Sequence, residues 1–142
     1  MFLLTFEIFN FNVHNCLVDS RALVNVMPLS VCKQINCQPK LTAGQVFQLD
    51  RTAVKVVGEM EDVLIPLLAD EGVCQYIDIV VADILDAYGM VLSWDWSVKL
   101  DGYFASDWSH LWFPYKGCQN QIKVLREPQM RHNLTQLEGK NE

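Results

Sequence analysis

The sequence lacks a surplus of positive charge and any long uninterrupted hydrophobic run. Its 11 Lys and Arg residues are outnumbered by 17 Asp and Glu residues, which gives a net charge of −6. Proteins that bind nucleic acid or anionic membranes need the opposite balance, so neither is expected as a main partner. No apolar run reaches the roughly 20 residues of a transmembrane helix. Glu7 interrupts the opening apolar stretch and no basic segment precedes it, so no secretory signal is predicted and a cytoplasmic location is expected.

The sequence also lacks paired cysteines. None of its five cysteines forms a Cys-x-x-Cys pair, and the closest two have no second Cys or His pair to complete a zinc site. We therefore expect free thiols in a reducing compartment, and neither a metal nor another cofactor. The cysteines are Cys16, Cys32, Cys37, Cys74 and Cys118.

What the chain has is a series of short apolar segments. With 51% hydrophobic residues among 142, it can bury the core of one domain. Residues 2–9 alternate as in a strand, and a turn is predicted at 10–12. A second strand follows over 13–18 and ends at Asp19, so the first two strands are expected to form a hairpin.

The middle of the chain continues the β pattern after one short helix. A strand is predicted over 22–27, and a proline then begins a helix over 28–35, where its missing N–H costs nothing. From 45 to 81 the pattern is that of strands, broken at Gly58 and by a turn at 70–72.

The last third predicts a helical turn, a hairpin and a polar end. Residues 95–100 fit one or two turns of helix, and Asp101-Gly102 predicts a tight hairpin turn between 98–100 and 103–105. Many short strands with frequent turn signals and one or two short helices predict a small all-β barrel or sandwich.

Asp19 is the strongest candidate for chemistry. A carboxylate at the end of an apolar strand is costly to bury unless it is hydrogen-bonded or functional. The alternative interpretation is structural, because Asp often caps the turn after a strand.

Residues 15–28, which contain Asp19-Ser20-Arg21, resemble the active-site segment of proteases in plant gypsy-type retrotransposon polyproteins. The pattern there is roughly Leu-Val-Asp-Ser/Thr-Gly-Ala/Ser-Ser-x-Asn-Val/Ile-Met/Leu-Pro. The resemblance covers about residues 2–100 and implies a retropepsin-like acid protease barrel. We therefore predict a protease domain at 1–105, and the composition of the rest predicts an aromatic-rich extension at 106–126 and a polar linker at 127–142. Later blocks of the same resemblance, in the same order, are 56–59, 79–83 and 90–96.

The resemblance implies an aspartic-type endopeptidase that works as a homodimer on polypeptide substrates, without a cofactor. Each subunit would supply Asp19, and the facing pair would share a proton and activate water. Ser20 would hydrogen-bond across the dimer beneath the pair. The substrate-binding residues that the resemblance implies are Ala22 and, in a β-hairpin flap, Asp50, Arg51 and Thr52.

Two departures from the family pattern count against full activity. Arg21 replaces the glycine of the triplet, and its guanidinium would favour ionised carboxylates where one shared proton is needed. Ser93-Trp94 replaces a Gly-Arg pair, and Trp94 cannot supply the charge or the bidentate hydrogen bonds of that arginine. An impaired protease with a weakened dimer is therefore expected. The alternatives are a non-catalytic binding or dimerisation domain of the same fold, and a decayed retroelement fragment.

Overall fold

A computed structural model describes residues 2–19, 21–41, 46–49, 52–67, 70–94, 96, 98, 101–104, 109–125 and 133–136. Strands dominate this part of the chain, together with the helix α1 (Leu29–Gln34). The strands are β1 (Phe2–Ile8), β2 (Phe11–Asp19), β3 (Asn25–Pro28), β4 (Lys40–Leu41), β5 (Val46–Leu49), β6 (Thr52–Leu67), β7 (Asp70–Ala82), β8 (Met90–Ser93), β9 (Tyr103–Phe104), β10 (His110–Tyr115), β11 (Cys118–Lys123) and β12 (Leu134–Gln136).

Six strands close into a small barrel. They follow one another in the order β1-β2-β8-β3-β7-β6, and the pairing of Phe6 with Leu67 joins β6 back to β1. Closure pairs the two edge strands of this path with each other and so limits the exposed sheet edge. The all-β barrel with a short helix that the sequence predicts is confirmed.

The insertion of β8 between β2 and β3 determines where the strand ends meet. β8 runs parallel to β2 and antiparallel to β3, and β3 runs parallel to β7. Parallel neighbours end at the same edge of a sheet, and Asp19 consequently lies opposite Ser93. The adjacent ends of β2 and β8 form the candidate site.

The core lies inside the barrel and extends to a second sheet. Alternate side chains of β1 are fully buried, Phe6 and Ile8 among them. The second sheet has the order β11-β10-β9, and its Leu111 and Phe113 belong to the same hydrophobic cluster as the barrel. Main-chain hydrogen bonds of 2.7 and 3.2 Å between Leu3 and Leu125 also connect the two parts.

The first hairpin turn lies one position earlier than predicted. Ile8 pairs with Phe11, so the turn consists of Phe9 and Asn10 rather than residues 10–12. Both have positive φ, 47° and 71°, as a two-residue hairpin turn that matches the strand twist requires. The next strand also differs, since it begins at Asn25 rather than at 22.

The predicted interruption at Gly58 is wrong, and the predicted break at 70–72 is present but lies earlier, between Leu67 at the end of β6 and Asp70 at the start of β7. Gly58 lies inside the continuous strand β6, where a Cβ atom would come within 2.7 Å of the Lys40 carbonyl oxygen. The glycine therefore admits the close passage of β4 instead of ending β6. Asp70, Glu71 and Gly72 begin β7, although their residue types are typical of a turn.

The predicted hairpin around Asp101-Gly102 is contradicted at Val98, which is helical, while residues 99, 100 and 105 lie outside the described part of the chain. Trp96 and Val98 are helical, as expected for 95–100, and the Asp101 N–H donates to the Val98 carbonyl at 3.0 Å. Since Val98 is helical, it offers β9 no strand partner, and β9 pairs with β10 instead.

The chain returns to the barrel near its end. β12 pairs with the first residues of β2, Leu134 opposite Val13. The boundaries at 105 and 126 stay predictions. In the described part of the chain, no helix is long and apolar enough to cross a membrane.

Candidate active site

Asp19 stands where the apolar strand β2 leaves the barrel. Val18 is fully buried, whereas Asp19 is half-buried and Arg21 is exposed. The change from buried to exposed over these residues brings the carboxylate to the surface at the β2–β8 edge. Ser20 lies outside the described residues, so its predicted role across a dimer stays a prediction.

The main chain that follows Asp19 folds back on it. The Arg21 N–H donates to Asp19 Oδ1 at 2.9 Å, and the Ala22 N–H donates to the Asp19 carbonyl at 3.1 Å. Asp19 therefore does cap its own turn, as the structural interpretation expects. The cap uses one acceptor position on Oδ1 of Asp19. An ionised carboxylate has about four such positions, so the others stay available. The cap is thus compatible with a catalytic role.

The turn tolerates Arg21 because position 21 takes part through its main chain. The residue after it, Ala22, is buried and anchors the turn to the barrel. The substitution therefore leaves the hydrogen bond to Asp19 in place and adds an exposed cation beside it.

Asn25 is a positioning residue that the sequence reasoning missed. Its Oδ1 accepts from the Ser93 N–H at 2.8 Å, and its Nδ2 donates to the Asp78 carbonyl at 2.9 Å. One side chain thereby fixes β8 and β7 against the start of β3. The available signal was an amide directly before the buried pair Val26-Met27, within the segment that resembles the protease pattern.

A hairpin formed by β5 and the beginning of β6 corresponds to the predicted flap. Leu49 pairs with Thr52, so the connection consists of residues 50 and 51. Val54, near the base of the hairpin, packs in a small buried cluster with Val26 and Ala82. The cluster joins the hairpin to the strand that follows the Asp19 turn. Asp50 and Arg51 lie outside the described residues, as does the side chain of Thr52, so their contact with substrate stays a prediction.

Ser93 ends β8 next to the Asp19 turn, and Trp94 follows it in a turn. Ser93 is buried at 5% exposure, and Trp94 is 38% exposed. Two residues further on, Trp96 is buried edge-on against Phe6, with ring centroids 5.3 Å apart. Trp96 therefore anchors this helical turn to the core, while Trp94 faces outward at the predicted dimer contact.

The buried cysteines are poor candidates for a nucleophile. Burial raises the pKa of the Cys16 thiol far above its usual range. Burial and, less strongly, the neighbouring Cys32 raise the pKa of Cys37 to about 12. Both thiols stay protonated at neutral pH, whereas a nucleophilic cysteine needs a lowered pKa. In the described part, no group of three or more His, Cys, Asp or Glu residues could hold a metal ion.

A comparison with solved structures identifies the fold. The chain is similar to the retroviral protease-like domain of Ddi1 from Leishmania major, with a TM-score of 0.64. The match covers 90% of this chain and 94% of that chain, at 15% sequence identity. The chain therefore has the retropepsin-like fold of a protease-like domain. No family model matches the sequence, and no curated protein matches it.

Proposed function

We propose that the chain is one subunit of a homodimeric aspartic-type endopeptidase, impaired by Arg21. The observation that carries the proposal is the placement of Asp19. Its carboxylate accepts a hydrogen bond from the Arg21 N–H at the end of β2. Asp19 lies opposite the last residue of the parallel neighbour β8, in a chain that has the retropepsin-like fold. We infer that, in a dimer, the carboxylate at this exposed strand end meets its symmetry mate.

The proposed chemistry requires two copies of Asp19. Two carboxylates a few ångströms apart do not both ionise cheaply, so they share one proton. The ionised partner takes a proton from water as the water attacks the scissile carbonyl, and the protonated partner donates to the carbonyl oxygen. A twofold axis would supply the second copy from an identical subunit.

Arg21 opposes the shared proton. In a dimer two guanidinium groups would lie near the carboxylate pair, and cations favour the state in which both are ionised. The doubly ionised pair can accept a proton but has none to donate to the carbonyl. We infer low activity from this chemistry.

The proposed substrate is an extended segment of a polyprotein. The ordered sequence blocks support an origin in a plant gypsy-type retrotransposon polyprotein that is processed inside the cell. An extended peptide under the β5–β6 hairpin would be recognised by main-chain hydrogen bonds and by pockets for alternate side chains.

Cleavage of a peptide library tests the proposal. We expect Arg21→Gly to raise kcat/KM about 10²-fold over the native chain, the lower end of what general acid–base catalysis contributes. Arg21→Ala, which removes the charge but keeps a Cβ atom, separates the charge effect from crowding. Arg21→Lys, which keeps a cation, should stay as slow as the native chain.

Asp19→Asn in the Arg21→Gly background is the control that assigns the activity to Asp19, and it should abolish cleavage. Robust cleavage by the native chain, lost in Asp19→Asn, would show that Arg21 does not impair the site. Pepstatin separates the proposal from a non-catalytic domain, because tight binding requires the paired carboxylates. An Arg21→Gly chain that neither cleaves nor binds pepstatin at a protein concentration at which ultracentrifugation shows it to be dimeric would overturn the proposed function.

A further inference from the structure

One stretch of β6 has a strand partner on only one side. β7 pairs along β6 from Val56 to Leu67. On the opposite side, β5 pairs with residues 52–55, β4 with 58–59 and β1 with Leu67. No described strand pairs with residues 60–66 on that side. Alternate residues of an antiparallel strand turn their main-chain groups away from the partner, so this edge can accept another strand.

A cavity of about 560 Å³ lies along this open edge. Six consecutive residues of β6, 59–64, line it. Successive side chains of a strand point to opposite faces, so lining by consecutive residues places the cavity at the edge of the strand rather than on one face. Residues 36–38 and Phe9 form the other walls. The volume falls within the roughly 300–1,000 Å³ typical of ligand sites.

The lining combines negative charge with apolar surface. Glu59, Glu61 and Asp62 line the cavity together with one cation, Lys40. Phe9 and Leu64 are 55% and 43% exposed, which is high for large apolar side chains. The inward face of this edge is apolar, because Met60 and Val63 are buried and also line the cavity. A strand that alternates basic and apolar residues would place its basic side chains beside Glu59 and Glu61 and its apolar side chains beside Met60 and Val63.

The bulge at Glu61 and Asp62 favours a short flexible occupant over a second copy of this chain. Asp62 has a φ of 51°, and its N–H donates to the Asp78 carboxylate at 2.9 Å. A bulge of this kind twists an edge and blocks regular pairing with another rigid sheet edge. A short peptide can follow the twist.

We propose that the edge of β6 at residues 60–66 binds an extended segment of another protein in which basic and apolar residues alternate. The segment adds a strand to β6 next to β4. Its basic side chains face Glu59 and Glu61 on the outward face of β6, and its apolar side chains face Met60 and Val63 on the inward face. This site is separate from Asp19 and does not depend on the proposed protease activity.

The probe is a fluorescent seven-residue peptide of alternating arginine and valine, titrated into the native chain by anisotropy. We expect saturable binding that weakens with added salt, and slower amide hydrogen exchange within residues 60–66. A peptide of alternating glutamate and valine should not bind. Two versions of the basic peptide, N-methylated on odd or on even residues, test the strand pairing, because only one set of N–H groups faces β6. One version should lose binding and the other should keep it.

Matched variants test the surface. Glu59→Gln with Glu61→Gln should weaken the basic peptide roughly fivefold, as expected for two exposed ion pairs. Asp83→Asn with Asp101→Asn, which removes two exposed carboxylates elsewhere, should change affinity less than twofold. Phe9→Asn suits the positive φ of position 9 and should weaken binding without loss of stability.

Several results would overturn the proposal. These are equal binding of the basic and acidic peptides, equal effects of the two N-methylation patterns, or protection that maps outside 60–66. Protection of this edge that grows with protein concentration in the absence of peptide would instead identify a second copy as the occupant.

Discussion

At the scale of single residues, the site depends on hydrogen bonds to main-chain groups. Two residues make them, Asp19 and Asn25. Asp19 is oriented by the N–H of the residue two positions later, so this hydrogen bond does not use the side chain of Arg21. The neighbouring strand end is held by Asn25, which uses its acceptor on β8 and its donor on β7. The geometry of the site therefore depends on Asn25 more than on Arg21.

We predict that Asn25→Ala destabilises the protein by about 1–3 kcal/mol, because it leaves the Ser93 N–H and the Asp78 carbonyl without their partner. Urea unfolding of both chains measures the difference. Gln34→Ala, at an exposed position of α1, is the control and should stay within about 0.5 kcal/mol of the native chain. If the two variants were equally stable, Asn25 would have no positioning role.

The sequence could predict Asp19 but not Asn25, and the reason is physical. Asp19 follows a run of apolar residues directly, so its polarity contrasts with its neighbours along the chain. Asn25 acts through Ser93 and Asp78, which are 68 and 53 positions away. No local pattern contains those partners, because the barrel creates the contact.

At the scale of elements, alternation predicted which segments are strands, while turn residues were less reliable about where strands end. Residues 13–18 and the helix after Pro28 are confirmed. Residues 70–72 have turn composition but belong to β7, in which Asp70 pairs with Leu67 of β6. Local turn preference amounts to only a fraction of a strand pair's stability when a long neighbour is available.

β12 is an element whose pairing the sequence did not predict. The Asn133 carbonyl accepts from the His14 N–H at 2.7 Å, its Oδ1 accepts from Asn15 Nδ2 at 2.9 Å, and its Nδ2 donates to the Asp86 carbonyl at 2.7 Å. Asn15 is buried at 4% exposure. Asn133 therefore satisfies a buried amide and fastens β12 to the barrel.

We predict that Asn133→Ala lowers the free energy of unfolding by about 1–2 kcal/mol, because the buried Asn15 amide loses its acceptor. Amide exchange at His14 should become faster, because the main chain of residue 133, which accepts from the His14 N–H, is then held less firmly. Thr135→Ala is the matched control within β12, because it removes only an exposed contact between Thr135 Oγ1 and His14 Nε2 at 2.8 Å. An Asn133→Ala chain with native exchange at His14 would mean that β12 is held by its main-chain pairing alone.

At the scale of the whole molecule, one chain forms a closed barrel but supplies only one of the two carboxylates that the proposed active site needs. Six strands close on themselves through Phe6 and Leu67, so each chain can fold around its own core. The described chain brings one Asp19 to the surface, and the proposed chemistry needs a second. A single chain would therefore fold without a partner, whereas activity would require the dimer.

The dimer contact is the step at which Trp94 should matter. The resemblance places an arginine at this position, where it ties the active-site turn to the dimer contact with bidentate hydrogen bonds. Trp94 is 38% exposed directly after β8 and has no such donors. We predict that the native chain is mainly monomeric at low micromolar concentration in analytical ultracentrifugation.

Restoring the family pattern should shift this equilibrium. Ser93→Gly with Trp94→Arg supplies a guanidinium whose hydrogen bonds to charged groups are worth about 1.5–3 kcal/mol, so the dimer should tighten roughly tenfold or more. Leu85→Arg adds the same charge at a residue that is 90% exposed and lies outside the candidate site, and it should leave the equilibrium unchanged. A native chain that is already a stable dimer at low micromolar concentration would contradict the prediction and shift the cause of any low activity to Arg21. Tightening by both arginine variants would instead indicate a general effect of reduced net charge, because the chain carries −6. Tightening by the double variant alone would locate the dimer contact beside the Asp19 turn.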